Sequence, residues 1–103
     1  MNYFYITDSS TEQIALNDNK AIICFSATWC GPCKKIKPLY HEIAENNKDI
    51  NFYEVDIDER EELVTKFNVK SIPTFILLKE GNKINELVGS NINELSILIK
   101  DLQ

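Results

Sequence analysis

The stretch Ala21-Ile22-Ile23-Cys24-Phe25-Ser26-Ala27-Thr28-Trp29-Cys30-Gly31-Pro32-Cys33-Lys34 decides how the rest of the chain is read. Its first half, Ala21–Ala27, is nearly continuous apolar sequence, the pattern of a central parallel strand covered on both faces. Its second half opens a helix. From Cys33 onward, Ile36, Tyr40, Ile43 and Ala44, with Leu39 flanking, fall at 3-4-3 spacing on one helical stripe. Pro32 comes early in that helix, where its missing N–H costs little.

Working outward, Asn2–Ile6 reads as a first short strand, and Ser9 with Glu12 forms a capping-box pattern opening a helix through about Asn17. Downstream, Phe52–Asp56 is the next strand, and Asp58 with Glu61 predicts the cap of a helix whose buried stripe is Leu63, Val64 and Phe67. Thr74–Lys79 and Lys83–Val88 read as strands joined by the turn Glu80-Gly81-Asn82, hence an antiparallel hairpin. Asn91 and Glu94 repeat the box ahead of a last helix with the face Leu95, Leu98, Ile99 and Leu102. The order β-α-β-α-β-α-β-β-α predicts an α/β fold, a mixed sheet of about five strands sandwiched between helices. Pro38 removes the bond to the carbonyl of Lys34 and predicts a kink in the second helix.

At 103 residues the chain is expected to form one domain, residues 1–103. Charged residues make up 26% and apolar residues 44%, so the composition is globular rather than disordered. Folding at this size buries roughly two-thirds of the unfolded chain's surface, enough for a core without metal or staples. A net charge of −5 argues against a nucleic-acid partner. No apolar run approaches the ~20 residues of a membrane span. The N-terminal residues show no basic region and no small-residue cleavage site, so no secretory signal is expected. Three cysteines, an odd number and too few for a disulfide scaffold, point to a reducing, cytoplasmic compartment.

The chemistry concentrates in Trp29-Cys30-Gly31-Pro32-Cys33-Lys34, at the junction of strand and helix. A helix N-terminus presents unpaired N–H groups and about half a positive charge, so a thiol there ionises more easily. The thiolate is the reactive form in disulfide exchange. Cys30 is expected just outside the first turn, within reach of solvent, whereas Cys33 is in phase with Ile36 and Tyr40 and expected to be shielded. A purely structural clip is the competing reading, but closing four residues removes only roughly 2 kcal/mol of unfolded-state entropy. A Cys₃His metal set of Cys24, Cys30, Cys33 and His41 is also conceivable. His41, however, lies eight residues along the helix from Cys33, roughly 12 Å of rise away, and structural zinc usually takes two close ligand pairs. No metal is expected. Lys34, Lys35 and Lys37 read as a solvated face, the alternative being that they raise the local potential. His41 reads as a surface or half-buried helix residue.

Five stretches, Phe25–Lys34, Ile36-Lys37-Pro38, Glu54-Val55-Asp56, Ile72-Pro73-Thr74 and Lys79-Glu80-Gly81, carry a family likeness. Over nearly its whole length the chain resembles the thioredoxin family, most of all the cytosolic eukaryotic type. The resemblance implies the thioredoxin fold and a reductant, because Gly31 and Pro32 between the cysteines are the pairing of that branch. It implies a cycle in which Cys30 attacks a substrate disulfide, Cys33 resolves the mixed disulfide, and an NADPH-dependent thioredoxin reductase reduces the resulting Cys30–Cys33 bond. The partners are then that reductase and disulfide-containing proteins; the chain, expected to be a monomer, binds no cofactor of its own.

Pro73 carries no sign of a cis bond in the sequence alone, but the resemblance implies one, with the backbone of Ile72 pairing with a substrate strand. Trp29, Gly31, Pro32, Ile57, Ile72, Pro73, Val88, Gly89 and Ser90 correspond to the family's flat apolar contact rim. Cys24 is the departure, standing where the family carries a buried aspartate that helps deprotonate the inner cysteine. A thiol is a weaker acceptor in an apolar site, which predicts slower resolution or a route through water. Cys24 is otherwise an inert core residue, or one that traps Cys33 under oxidation. Two other functions compete: an oxidase or isomerase of the same fold, and a non-catalytic module docking through the Trp29–Pro73 surface.

Overall fold

The expected alternation of strands and helices is present in the computed structural model, which describes residues 1–103. The elements are β1 (Tyr3–Ile6), α1 (Ser9–Leu16), β2 (Lys20–Ser26), α2 (Gly31–Glu45), β3 (Asn51–Asp56), α3 (Glu61–Lys66), β4 (Thr74–Lys79), β5 (Asn82–Val88) and α4 (Ile92–Leu98). The last helix tightens into a 3₁₀ turn over Ile99–Leu102. The five strands form one sheet in the order β1-β3-β2-β4-β5. β1, β3 and β2 run parallel, and β4 and β5 are added antiparallel.

The apolar run of β2 is continuous because both faces of the sheet are covered. Ile22 and Cys24 face one layer, with Ile36, Tyr40 and Ala44 of α2 and Leu95 of α4. Ala21, Ile23 and Phe25 face the other, with Ala15 of α1 and Leu63 of α3. β2 therefore lies mid-sheet between the layers, and its C-terminal end delivers the chain to the first turn of α2. Pro38 sits inside an α2 that is continuous from Gly31 to Glu45.

Several local expectations are corrected. α1 is capped by Asp8 and Thr11, not Ser9 and Glu12: Thr11 N–H donates to Asp8 Oδ1 at 2.8 Å, and Thr11 Oγ1 receives the Asp8 N–H at 3.1 Å. Glu12 is instead buried and accepts from Arg60 Nε and Nη2 at 3.2 and 3.1 Å. Asp58 does not cap α3, which starts after Arg60 with no side-chain cap. The carboxylate and carbonyl of Asp56 take the N–H groups of Asp58, Glu59 and Arg60, which holds the chain in a turn short of the helix. β1 begins at Tyr3, because the Asn2 side chain is engaged elsewhere. Its amide donates to the carbonyls of Ala44 in the last turn of α2 and of Asn47 and Ile50 in the loop leading to β3. β5 begins one residue earlier than expected, since Lys79 pairs with Asn82, leaving Glu80-Gly81 as a two-residue turn with both φ positive.

Candidate active site

Cys30 is the N-cap of α2, with extended backbone (φ −89°, ψ 110°), and its Sγ accepts the N–H of Cys33 at 3.2 Å. Fifteen helical residues stand behind that cap, so the sulfur lies on the axis of a long dipole with its positive end toward it. The two cysteines are joined as a disulfide, their Cα atoms 5.3 Å apart. Ala27, Cys30 and Cys33 pack together, with the half-buried Ile57 and Ile72 over them. Cys33 is 0% exposed and Cys30 6%. The expectation of an openly reachable Cys30 is thus corrected. A capping sulfur turns in beneath the first turn, and in the disulfide it retains only a narrow exposed edge. Cys30 remains the outer sulfur of the two.

Around the pair, Trp29 is 65% exposed and Gly31 and Pro32 are exposed. Trp29 Nε1 donates to Asp58 Oδ2 at 3.0 Å, the use to which the freed Asp58 is put. The Ile72–Pro73 bond is cis, and Pro73 is buried where an exposed rim residue was expected. The carbonyl of Pro73 receives the N–H of Gly89 at 2.9 Å, which brings the Val88-Gly89-Ser90 corner beside it. Val88 and Ser90 are exposed, and Gly89 is half-buried with φ +106°. Trp29, Ile57 and Ile72 line one concavity of about 180 Å³ together with Val64 and Val69. The largest cavity, about 690 Å³, lies at the β1 edge beside Met1, Tyr5 and His41 and includes none of these residues.

Cys24 is 2% exposed, a free thiol in mid-strand. Burial first, and then the neighbouring Glu54 charge, push that thiol well above the ordinary cysteine range, so it stays protonated. No group of three or more His, Cys, Asp and Glu side chains converges as a metal set. His41 stacks on the Tyr3 ring at 3.7 Å between centroids.

The sequence reading missed Glu54, 4% exposed on β3, paired with Lys37 Nζ at 3.2 Å and accepting the Tyr3 hydroxyl. Lys34 and Lys35 are the solvated face expected of them, but Lys37 is half-buried by that ion pair. One signal was legible. A charged residue interrupts Phe52-Tyr53-Glu54-Val55, a strand otherwise apolar enough for a central position.

Two cysteines three residues apart, one capping a helix and one sealed beneath it, on a mixed sheet covered on both faces, define a thiol–disulfide oxidoreductase. A family model described as Thioredoxin matches residues 3–101. The chain belongs to the thioredoxin family. It is 39% identical over 97 residues to thioredoxin from Gallus gallus, covering 94% of this chain and 92% of that protein. It is 41% identical over 88 residues to thioredoxin from Homo sapiens, covering 85% and 84%. Among solved structures, a thioredoxin from Nicotiana alata superposes with a TM-score of 0.92 at 30% identity, over 99% of this chain and 93% of that one. The reduced thioredoxin pre-protein of Schistosoma mansoni gives 0.92 at 35% identity over the full length of both. The fold is the thioredoxin fold, and the protein is a disulfide oxidoreductase working by dithiol–disulfide exchange.

Proposed function

We propose that Cys30 is the attacking and Cys33 the resolving thiol of a general protein-disulfide reductase. The carrying observation is the cap: the Cys33 N–H points at Cys30 Sγ, and the same N–H faces a thiolate when the pair is reduced, favouring the charged form. Cys33, fully covered, meets a disulfide only after Cys30 has bonded to it. Substrate disulfide gains two electrons, the dithiol loses them, and the Cys30–Cys33 bond closes. An NADPH-dependent thioredoxin reductase then restores the dithiol, so the chain itself requires no cofactor.

The substrate lies across Trp29, Gly31, Pro32, Ile57, Ile72, Val88, Gly89 and Ser90, with the Ile72 backbone free to pair with an extended segment. Pro73, buried, shapes the floor. Gly31 and Pro32 set the geometry of the pair, and Cys24 tunes it by contributing no charge. The monomer works in the cytoplasm, a compartment in keeping with a free, buried Cys24.

The test uses two variants in an insulin-reduction assay coupled to NADPH and a thioredoxin reductase. Cys30→Ser drops turnover to background. Cys33→Ser also stops turnover but accumulates a covalent adduct on Cys30, seen as added mass that dithiothreitol removes. Adduct on Cys33 instead would reverse the roles, and full turnover in either variant would end the proposal.

A further inference from the structure

Two carboxylates are buried in this protein, and they are held differently. Glu12 faces the Arg60 guanidinium in a fixed two-nitrogen contact. Glu54, more deeply buried, has no arginine. Tyr3 reaches it from β1, Cys24 lies opposite it on β2, and α2 brings Lys37 at 3.2 Å, His41 Nε2 at 3.9 Å and Tyr40 nearby. Lys37 is the only group among these that is permanently charged in the opposite sense.

We propose that Glu54 takes the proton from Cys33, through the cavity beside it, in the step that closes the Cys30–Cys33 bond. This rests on the assignment of Cys33 as the resolving thiol. That step must remove a proton from a sulfur with no exposed surface, so an acceptor has to stand inside the protein. Cys24 is a poor candidate, since its own thiol is held protonated. Lys37 follows Cys33 by four residues on the same face of α2, and its ion pair ties Glu54 to that helix one turn beyond Cys33. A cavity of about 230 Å³ opens there, walled by Ser26, Ala27, Thr28, Lys37, Glu54 and Asp56. Thr28, Lys37, Glu54 and Asp56 give it polar groups beside the apolar Ile6 and Val55, and its volume holds several waters. Ala27, in its wall, belongs to the buried cluster that holds Cys30 and Cys33.

The proton passes from Cys33 through cavity water to Glu54, and Cys33 sulfur attacks Cys30 sulfur. The Cys30–Cys33 bond forms as the bond from Cys30 to the substrate sulfur breaks. The substrate leaves as a thiolate, which the proton held on Glu54 neutralises through the same water. Lys37 holds the Glu54 carboxylate in place through their ion pair between turnovers. Glu54 touches neither sulfur and is a positioning residue for the proton.

The reduced full chain, mixed with excess dithiobis(nitrobenzoate), releases one thionitrobenzoate as Cys30 attacks and a second as Cys33 resolves. With reagent in excess, the second phase is independent of its concentration. In the wild type the rate of that phase levels off across neutral pH. In Glu54→Gln it falls roughly 100-fold at pH 7, the low end of general-base effects, and climbs tenfold per pH unit, while the first phase keeps its rate. Adding Cys24→Asp to Glu54→Gln restores the plateau, since the ladder puts that carboxylate on the same face. The wild-type second phase also slows in deuterium oxide, a readout that needs no variant to fold. A second phase unchanged in Glu54→Gln, unrescued in the double variant, or no slower in deuterium oxide overturns the proposal. Absence of any second phase in the wild type would instead overturn the assignment of Cys33, so the two failures are distinguishable.

Discussion

Tyr40 shows what one polar atom contributes in this core. Its ring is fully buried among Tyr3, Phe52 and Phe75, and its hydroxyl lies 3.2 Å from the carbonyl of Ile22 and 3.1 Å from that of Tyr53. Tyr40→Phe keeps the ring and removes the bond, so it costs about 1 kcal/mol and lowers Tm by roughly 4–8 °C in calorimetry. Asp8 acts at the surface. Its hydrogen bonds from Thr11 hold the carboxyl below the ordinary value of 3.8. A depressed carboxyl stabilises above its unfolded value and loses that contribution as pH falls through the folded one. Asp8→Ala therefore lowers Tm at pH 7, and the gap to wild type closes as pH drops below about 4. Both residues mark where the sequence was hard to read. Thr7-Asp8-Ser9-Ser10-Thr11 offers several competent caps in a row, and the choice depends on where β1 releases the chain. The apolar stripe placed Tyr40 in the core but said nothing of its hydroxyl's partners.

Elements were more legible than caps. β2 and β4 read correctly because unbroken apolar runs between two helical layers have no other home, and α2 read correctly because Ile36, Tyr40 and Ala44 keep helical phase past Pro38. α3 was harder: six residues long, it is positioned by the Asp56 turn and by Arg60 reaching across to Glu12, contacts distant in sequence. The β4–β5 turn offers a sharp test. Gly81 has φ +80°, and a Cβ there would sit 3.0 Å from the carbonyl of Leu16. Gly81→Ala combines a left-handed backbone cost with a contact against main chain, so about 1–2 kcal/mol is lost. Urea unfolding should show a lower midpoint with an unchanged slope, because the surface exposed on unfolding stays the same.

For the molecule as a whole, the sheet and its two helical layers bury Tyr40 and Tyr53 and half-bury Tyr3, three of the four tyrosines. Burial raises the phenols of Tyr3, Tyr40 and Tyr53, and for Tyr3 and Tyr53 the acidic partners Glu54 and Asp18 raise them further. The folded state thus binds these protons more tightly than the unfolded chain does. Their contribution is complete below the ordinary value of 10.0 and declines as pH rises above it. Ultraviolet titration should find three phenols ionising only as the chain unfolds. The same packing closes over the cysteines, and it explains why the site was legible as a motif but not as a surface. Spacing announced Cys30 and Cys33, whereas the burial of Cys30 and Pro73 and the pairing of Glu54 with Lys37 depend on strands far apart in sequence. The most direct test of a reversible Cys30–Cys33 couple built for reduction is equilibration in thiol–disulfide buffers, followed by the fluorescence of Trp29, the only tryptophan. The account predicts one two-electron transition, about 30 mV per tenfold change in ratio, lying on the reducing side of the glutathione pool. A transition on the oxidising side, or no transition linked to these two cysteines, would contradict it.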